Sequence, residues 1–263
     1  YGSTPSRPAS ISALRSRSES NTRRRYRYGP GDMRKPGEFL ASGRDADIFE
    51  CGPGLVLRRS RHGRSLADEA RIMSFLHDQG YPVPKVEEIS ADGRDLVMER
   101  IDGPSMADWM SRKPWTVRRG AATLADLHDQ LHAIPAPDYL WNADVGAGAH
   151  VVHMDLHPLN VIMSRQGPIV IDWARPGRGE PMLDVAVAYL LMATAAVPAG
   201  RVQAAVIAAG RSMLADAFAR RYRGRDFVRC LSIAAEWKAR DANMSAAEGA
   251  AMRALPAAAA RGS

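Results

Sequence analysis

Between His153 and Asn160 the chain reads His153-Met154-Asp155-Leu156-His157-Pro158-Leu159-Asn160, and an apolar run further on ends in Asp172. The spacing H-x-D-x-x-x-x-N, followed by an aspartate at a strand end, collects two carboxylates and an amide oxygen. These are the hard donors that suit magnesium. Their chemistry would be phosphoryl transfer, in which one carboxylate orients an attacking hydroxyl and oxygen ligands hold the ion that neutralises a triphosphate. Asp155 is then the base, with Asn160 and Asp172 as metal ligands. That is a sufficient protein share, because magnesium keeps its other positions for phosphate oxygens and water. The same residues leave two other readings open. His153, Asp155 and His157 have the makings of a zinc cluster for hydrolysis. The loop's polar groups could also serve only to satisfy backbone, which gives no account of the acidic strand end.

The elements that must position these residues follow from periodicity. Val161-Ile162-Met163 and Ile169-Val170-Ile171, joined by Ser164 to Pro168, predict a hairpin that returns Asp172 to Asn160. Upstream, Val117 to Ile134 places Ala121, Leu124, Leu127, His128, Leu131 and His132 at helical spacing and stops at Pro135. His128 and His132 are an i, i+4 pair that either packs within this leucine-rich face or holds a metal. Val185 to Val197 is apolar throughout but falls short of the roughly 20 residues a membrane span needs, so a buried core helix is expected. Ser245-Ala246-Ala247-Glu248 has the form of a capping box opening a late helix.

Earlier in the chain, Glu38 to Ile101 reads as strands around one helix. Two short strands flank Ser42-Gly43-Arg44-Asp45, and Leu55-Val56-Leu57-Arg58 follows the turn Gly52-Pro53-Gly54. A helix is predicted over Ser65 to Gln79, with Gly80 as its C-terminal cap. A last strand, Leu96 to Ile101, is broken by Asp102-Gly103-Pro104. The expected class is α+β: a disordered basic tail over 1–36, a small β-rich lobe over 37–101 and a larger helical lobe over 102–263.

Composition narrows the function classes. Nine Lys or Arg stand against Glu19 and Asp32 in residues 1–35, a net of +7 that equals the charge of the whole chain. The remainder is formally neutral, which argues against a basic nucleic-acid-binding domain. The Arg-rich stretch from Arg23 leaves RNA or acidic lipid contact by the tail as an option beside that of a solvated segment. Aromatic residues are 6% of the chain, so aliphatic side chains must build the core. Cys51 and Cys230 show no CxxC spacing, which fits a reducing compartment, and no apolar N-terminal stretch signals export. A cytoplasmic setting is expected.

On the block His153 to Ile162, Ile171-Asp172-Trp173 and Gly179 to Ala186, with Leu127 to His132 upstream, the chain resembles the aminoglycoside phosphotransferase and choline kinase-like family. The likeness runs from about Glu38 to Tyr189. It implies a two-lobed protein-kinase-like fold that moves the γ-phosphoryl group of ATP, with magnesium, to a hydroxyl of a small molecule. It further implies Asp155 as base, Asn160 and Asp172 as magnesium ligands, and Asp184 with His153 as structural support. His157, beside the base, lines the substrate pocket or packs. The phosphate-covering loop would hold Gly43, and the adenine-contacting hinge would fall near Glu99 and Ile101.

Two features depart from the family pattern. The third strand carries Arg58 where a kinase has lysine, with Glu69 on the next helix as its ion-pair partner, unless Arg59 is the inward residue. Asp45 and Asp47 sit in the loop that would approach phosphate, and they repel it unless turned away. A kinase-like protein that binds nucleotide without turnover is therefore a rival to the active enzyme. Neither an Asp-Phe-Gly nor an Ala-Pro-Glu landmark is present, against a protein-kinase role. Glu236 and Asp241 are the acidic candidates for acceptor contact.

Overall fold

The computed structural model describes residues 34–43, 45–143, 146–194, 201–240 and 246–261. Most of the basic tail, Arg44, Ala195 to Val197, Asp241 and Ser245, all invoked above, lie outside these residues. The chain forms two compact units. One runs to Phe75 and resumes over Pro84–Arg100; the other takes Leu76–Val83 and everything from Ile101 onward.

The first unit is built on one antiparallel sheet of β1 (Phe39–Ser42), β2 (Ala46–Glu50), β3 (Leu55–Ser60), β4 (Val86–Ile89) and β5 (Asp95–Glu99), in the order β1-β2-β3-β5-β4. Leu57 on the central strand sits between Phe49 and Val97 and packs with Cys51 in the core of this sheet. β5 stops at Glu99, short of the predicted Ile101, because the Arg100 N–H turns to the Gly54 carbonyl. Helix α1 (Ala67–Asp78) starts after Ser65, whose Oγ accepts the Ala67 N–H at 3.2 Å. It ends as predicted at Gly80, which adopts φ +76°. The Tyr81 N–H bonds the Leu76 carbonyl and the Gly80 N–H that of His77, a Schellman closure whose left-handed residue favours glycine.

The second unit holds helices α2 (Met106–Arg112), α3 (Val117–His132), α4 (Pro181–Thr194), α5 (Arg201–Ala219), α6 (Arg225–Lys238) and α7 (Ala246–Arg261). Two short antiparallel pairs accompany them: β6 (His150–Val152) with β9 (Gly177–Gly179), and β7 (Val161–Ser164) with β8 (Gly167–Val170). The β7–β8 pair is the predicted hairpin. Helix α4 is the expected buried helix: Leu183 through Ala188, Leu190 and Met192 are all buried. An apolar helix with no solvated face needs cover on every side, and α5, α6 and α7 pack against it. Among the described residues no helix is long and apolar enough to cross a membrane.

His128 resolves the histidine pair on α3. It is fully buried, its Nδ1–H donates to the Leu124 carbonyl at 2.9 Å, and its ring meets Phe218 edge-on with centroids 5.1 Å apart. It is therefore a core residue and not a metal ligand. Burial holds its imidazole well below the ordinary 6.5, at about 4. Between those values the unfolded chain binds a proton that the native state refuses, so stability rises with pH across that window. The full effect is on the order of 3 kcal/mol. Urea midpoints are expected to fall on acidification from pH 7 to 4.5, and His128→Leu should flatten that fall. Parallel profiles for the two proteins would refute the assignment.

Candidate active site

The site is assembled in the second unit around one buried carboxylate. Asp184 lies in the first turn of α4 and is fully buried. Its Oδ1 accepts the Met154 N–H at 2.7 Å, and its Oδ2 accepts the His153 N–H and His132 Nε2–H, each at 3.0 Å. Burial alone would raise this carboxyl, but the hydrogen bond and charge of His132, with the other donors, hold it well below the usual range. A buried charge persists only when it is matched in this way.

Those bonds fix the chain where it leaves β6. Met154 adopts φ +63°, a left-handed conformation that costs a non-glycine residue about 1–2 kcal/mol. The bend delivers Asp155, whose side chain keeps 29% of its exposure. His157 then caps the short turn Pro158–Asn160: its Nδ1 accepts the Leu159 N–H at 3.3 Å. The proton of the neutral ring is thereby on Nε2, which lies 3.7 Å from Asp155 Oδ1. Burial pulls this imidazole below its ordinary value, outweighing the opposing charges of Asp155 and Asp172.

Asn160 is buried, and its Nδ2 donates to the Asp155 carbonyl at 2.9 Å and reaches Asp155 Oδ2 at 3.4 Å. The amide oxygen is thus the atom turned to other partners. The Asn160 carbonyl accepts the Ile171 N–H at 3.0 Å, continuing the β7–β8 ladder past its last pair. Asp172 follows at φ +64°; with Met154 it is one of two non-glycine residues of positive φ among the described residues. The floor beneath is aromatic. Buried Trp173 donates to the Val170 carbonyl at 3.2 Å, with Tyr81 edge-on at 5.9 Å and the His153 ring at 4.4 Å. His153 Nε2 in turn donates to the Ile171 carbonyl at 3.2 Å, tying loop to hairpin.

This geometry removes the zinc reading. The His153 ring is engaged on Ile171, and His157 uses Nδ1 on Leu159. Among the described residues no group of three His, Cys, Asp or Glu converges on one point.

The remaining predicted residues lie in the first unit, except Ile101, which begins the long run of the second, and Glu236. Arg58 is the inward arginine of β3. Its Nε lies 3.3 Å from Glu69 Oε1, with the two side chains 14% and 7% exposed, whereas Arg59 forks onto Asp95 at 2.8 and 2.6 Å. Asp47 is locally compensated by Ser42 Oγ–H at 2.6 Å and Arg61 Nε at 3.2 Å. The Gly43 N–H bonds the Ala46 carbonyl, and its own carbonyl accepts from Arg61. At the end of β5, Glu99 Oε2 accepts the Lys85 N–H, and the Glu99 N–H goes to the Lys85 carbonyl. Glu236 is exposed on α6. Two contributions were not read from the sequence: the bond of His132, named there only in a histidine pair and a family likeness, to Asp184, and Arg211, on a cavity considered below.

The model of the phosphotransferase enzyme family matches residues 37–147 and 138–231. The serine/threonine-protein kinase AfsK of Streptomyces coelicolor is 32% identical over 152 residues, which make up 54% of this chain and 18% of that protein. The chain thus spans less than a fifth of that relative's length. Among solved structures, a thermostable mutant of aminoglycoside phosphotransferase APH(4)-Ia, in ternary complex with AMP-PNP and hygromycin B, has a TM-score of 0.59 at 15% identity, over 93% of this chain and 98% of that one. The gentamicin–APH(2")-IIa complex has a TM-score of 0.56 at 13% identity, over 97% and 98%. A choline/ethanolamine kinase family protein from Mesorhizobium loti has 0.54 at 16%, over 92% and 94%. These likenesses give the fold, which is the kinase-like α+β fold expected from the sequence. With the family model matching most of residues 37–231, the chain belongs to the phosphotransferase enzyme family.

Proposed function

We propose that this chain moves the γ-phosphoryl group of ATP, with magnesium, to a hydroxyl of a small molecule. The observation that carries the reading is the set Asp155, Asn160 and Asp172, carried by a loop that Asp184 holds and a hairpin tied to that loop through His153 and Asn160. The donor set fits magnesium: an amide oxygen left over once Asn160 Nδ2 is engaged on Asp155, and a strand-end carboxylate held in a strained backbone. Bound there, the ion would neutralise charge on the triphosphate.

Asp155 orients the acceptor hydroxyl and takes its proton while the hydroxyl oxygen bonds to the γ-phosphorus. The bond from that phosphorus to the bridging oxygen breaks, leaving ADP. His157, neutral with its N–H toward Asp155, positions the base or the acceptor. Arg58, held by Glu69, takes the place of the kinase lysine and forks onto phosphate. The pairing of Asp47 with Arg61 lowers the repulsion that its charge would offer a phosphate at Gly43. With the Glu99 and Arg100 N–H groups on Lys85 and Gly54, Ile101 is the hinge amide offered to a purine.

The neighbours' own ligands support a nucleotide and a hydroxylated small molecule: AMP-PNP with hygromycin B in one case, gentamicin in another. The likeness to a serine/threonine kinase favours a protein substrate instead. Against it, α4 begins at Pro181, and Trp173 to Glu180, which includes β9, leaves little room for an activation segment after Asp172. Buried, unpaired Cys51 and Cys230 suit a reducing cytoplasm.

Calorimetric titration should show ATP binding that depends on magnesium in the native protein and is lost in Asp172→Asn. Absence of binding in both would leave no nucleotide site to defend. With an acceptor in hand, Asp155→Asn is expected to lower kcat by roughly 10²–10⁴-fold with little change in ATP affinity. A matched loss of affinity would make Asp155 a binding residue only. Arg58→Met should weaken ATP binding by about tenfold or more, and an unchanged affinity would leave Arg58 a structural partner of Glu69.

A further inference from the structure

A cavity of about 560 Å³ opens beside the catalytic loop, where α2, the turn at Pro158–Leu159, α4 and α5 meet. The volume lies within the range of small-molecule pockets, about 300–1,000 Å³. Met110, Val117, Pro158, Leu191, Met192 and Leu214 form most of the wall. His157 completes it, and its Nε2 is 3.7 Å from Asp155, so the cavity adjoins the base. The apolar character continues outward. Leu159 is 60% exposed, and Trp115 and Met213, chain neighbours of the lining residues Pro114 and Leu214, are 78% and 54% exposed.

Two charges line this space. Asp108 is tied to the start of α2, accepting Ser105 Oγ–H at 2.8 Å in a helix first turn that already favours a negative charge. Arg211 reaches the Ala193 carbonyl with Nη2 at 3.3 Å, while its Nε is buried with no hydrogen-bond partner among the described residues. The guanidinium is thus a cation on the cavity wall that is held by one backbone carbonyl and is only partly matched, and an oxygen anion entering the cavity would pair with it. A polycation would meet the reverse: a fixed cation, a neutral imidazole and one carboxylate already engaged.

Resting on the phosphotransferase reading above, we infer that the acceptor is a predominantly apolar hydroxy acid, its carboxylate held by Arg211 and its hydroxyl offered to Asp155. A polycationic amino sugar is excluded by the same wall. The probes are 10-hydroxydecanoate, 10-amino-1-decanol and kanamycin, titrated calorimetrically into the full chain without nucleotide or magnesium. 10-Hydroxydecanoate should bind about tenfold or more tightly than the amino alcohol, and kanamycin should not displace it. Arg211→Met, with its fold checked by circular dichroism, should bring the two decyl probes to within about threefold of each other. Equal binding of the two by the native protein, tighter binding of kanamycin, or a preference that survives Arg211→Met would each overturn the inference. The native probe series tests it even if the variant does not fold. Magnesium-dependent ATP binding beside a silent 10-hydroxydecanoate would sink this inference and leave the transfer reading standing. The opposite pattern would keep the ligand class of the cavity and remove the transfer.

Discussion

A carboxylate with no contact to water organises the second unit. Asp184 accepts two successive backbone N–H groups and an imidazole N–H, and so joins the chain leaving β6 to α3, two segments that would otherwise have no reason to meet. Taking one away leaves a buried charge undermatched, a loss of about 3–5 kcal/mol where a partner is removed outright. The loop bearing Asp155 is thus shaped by an electrostatic demand of the core and only indirectly by its own sequence. The same demand explains why a histidine on α3 and an aspartate on α4 behave as one polar plug in an apolar bundle.

The strain in this region has a counterpart in that plug. Met154 and Asp172 both sit in left-handed backbone, a conformation their side chains disfavour, and both are held from two sides. Met154 is pinned by Asp184. Asp172 follows directly on Ile171, whose N–H and carbonyl are fastened to Asn160 and His153. Backbone strain of this kind survives only where the surroundings over-determine it. The outcome is that Asp155 and Asp172 leave regular structure abruptly, each presenting its carboxylate at the end of a rigid element and not along a loop free to wander.

Much of this was legible in the sequence because it is local. The block His153 to Asn160 is contiguous, its hairpin is short, and Gly80 marks the helix end that its Schellman bonds require. The all-apolar stretch around Val185 announced a buried helix. What could not be read was non-local. Period-two alternation left Arg58 and Arg59 interchangeable until Asp95, across the ladder on β5, claimed the second of them. The His132–Asp184 bond spans 52 positions, and nothing in an i, i+4 histidine pair points to a partner so distant. The cavity beside His157 draws its wall from separate helices and a turn, so no window of sequence contains it. Element ends slipped for the same reason, as where the Gly54 carbonyl takes Arg100 out of β5.

The placement of Asp184 on α4 has one more outcome. That helix is the most enclosed element of its unit, so it cannot loosen without exposing apolar surface on every side. A site hung from such an element lacks the low-energy local openings through which loops usually fray ahead of the fold. Asp155 would hold its geometry until the bundle gives way as a whole, and on warming the loop that bears it and the core would be lost in a single cooperative step.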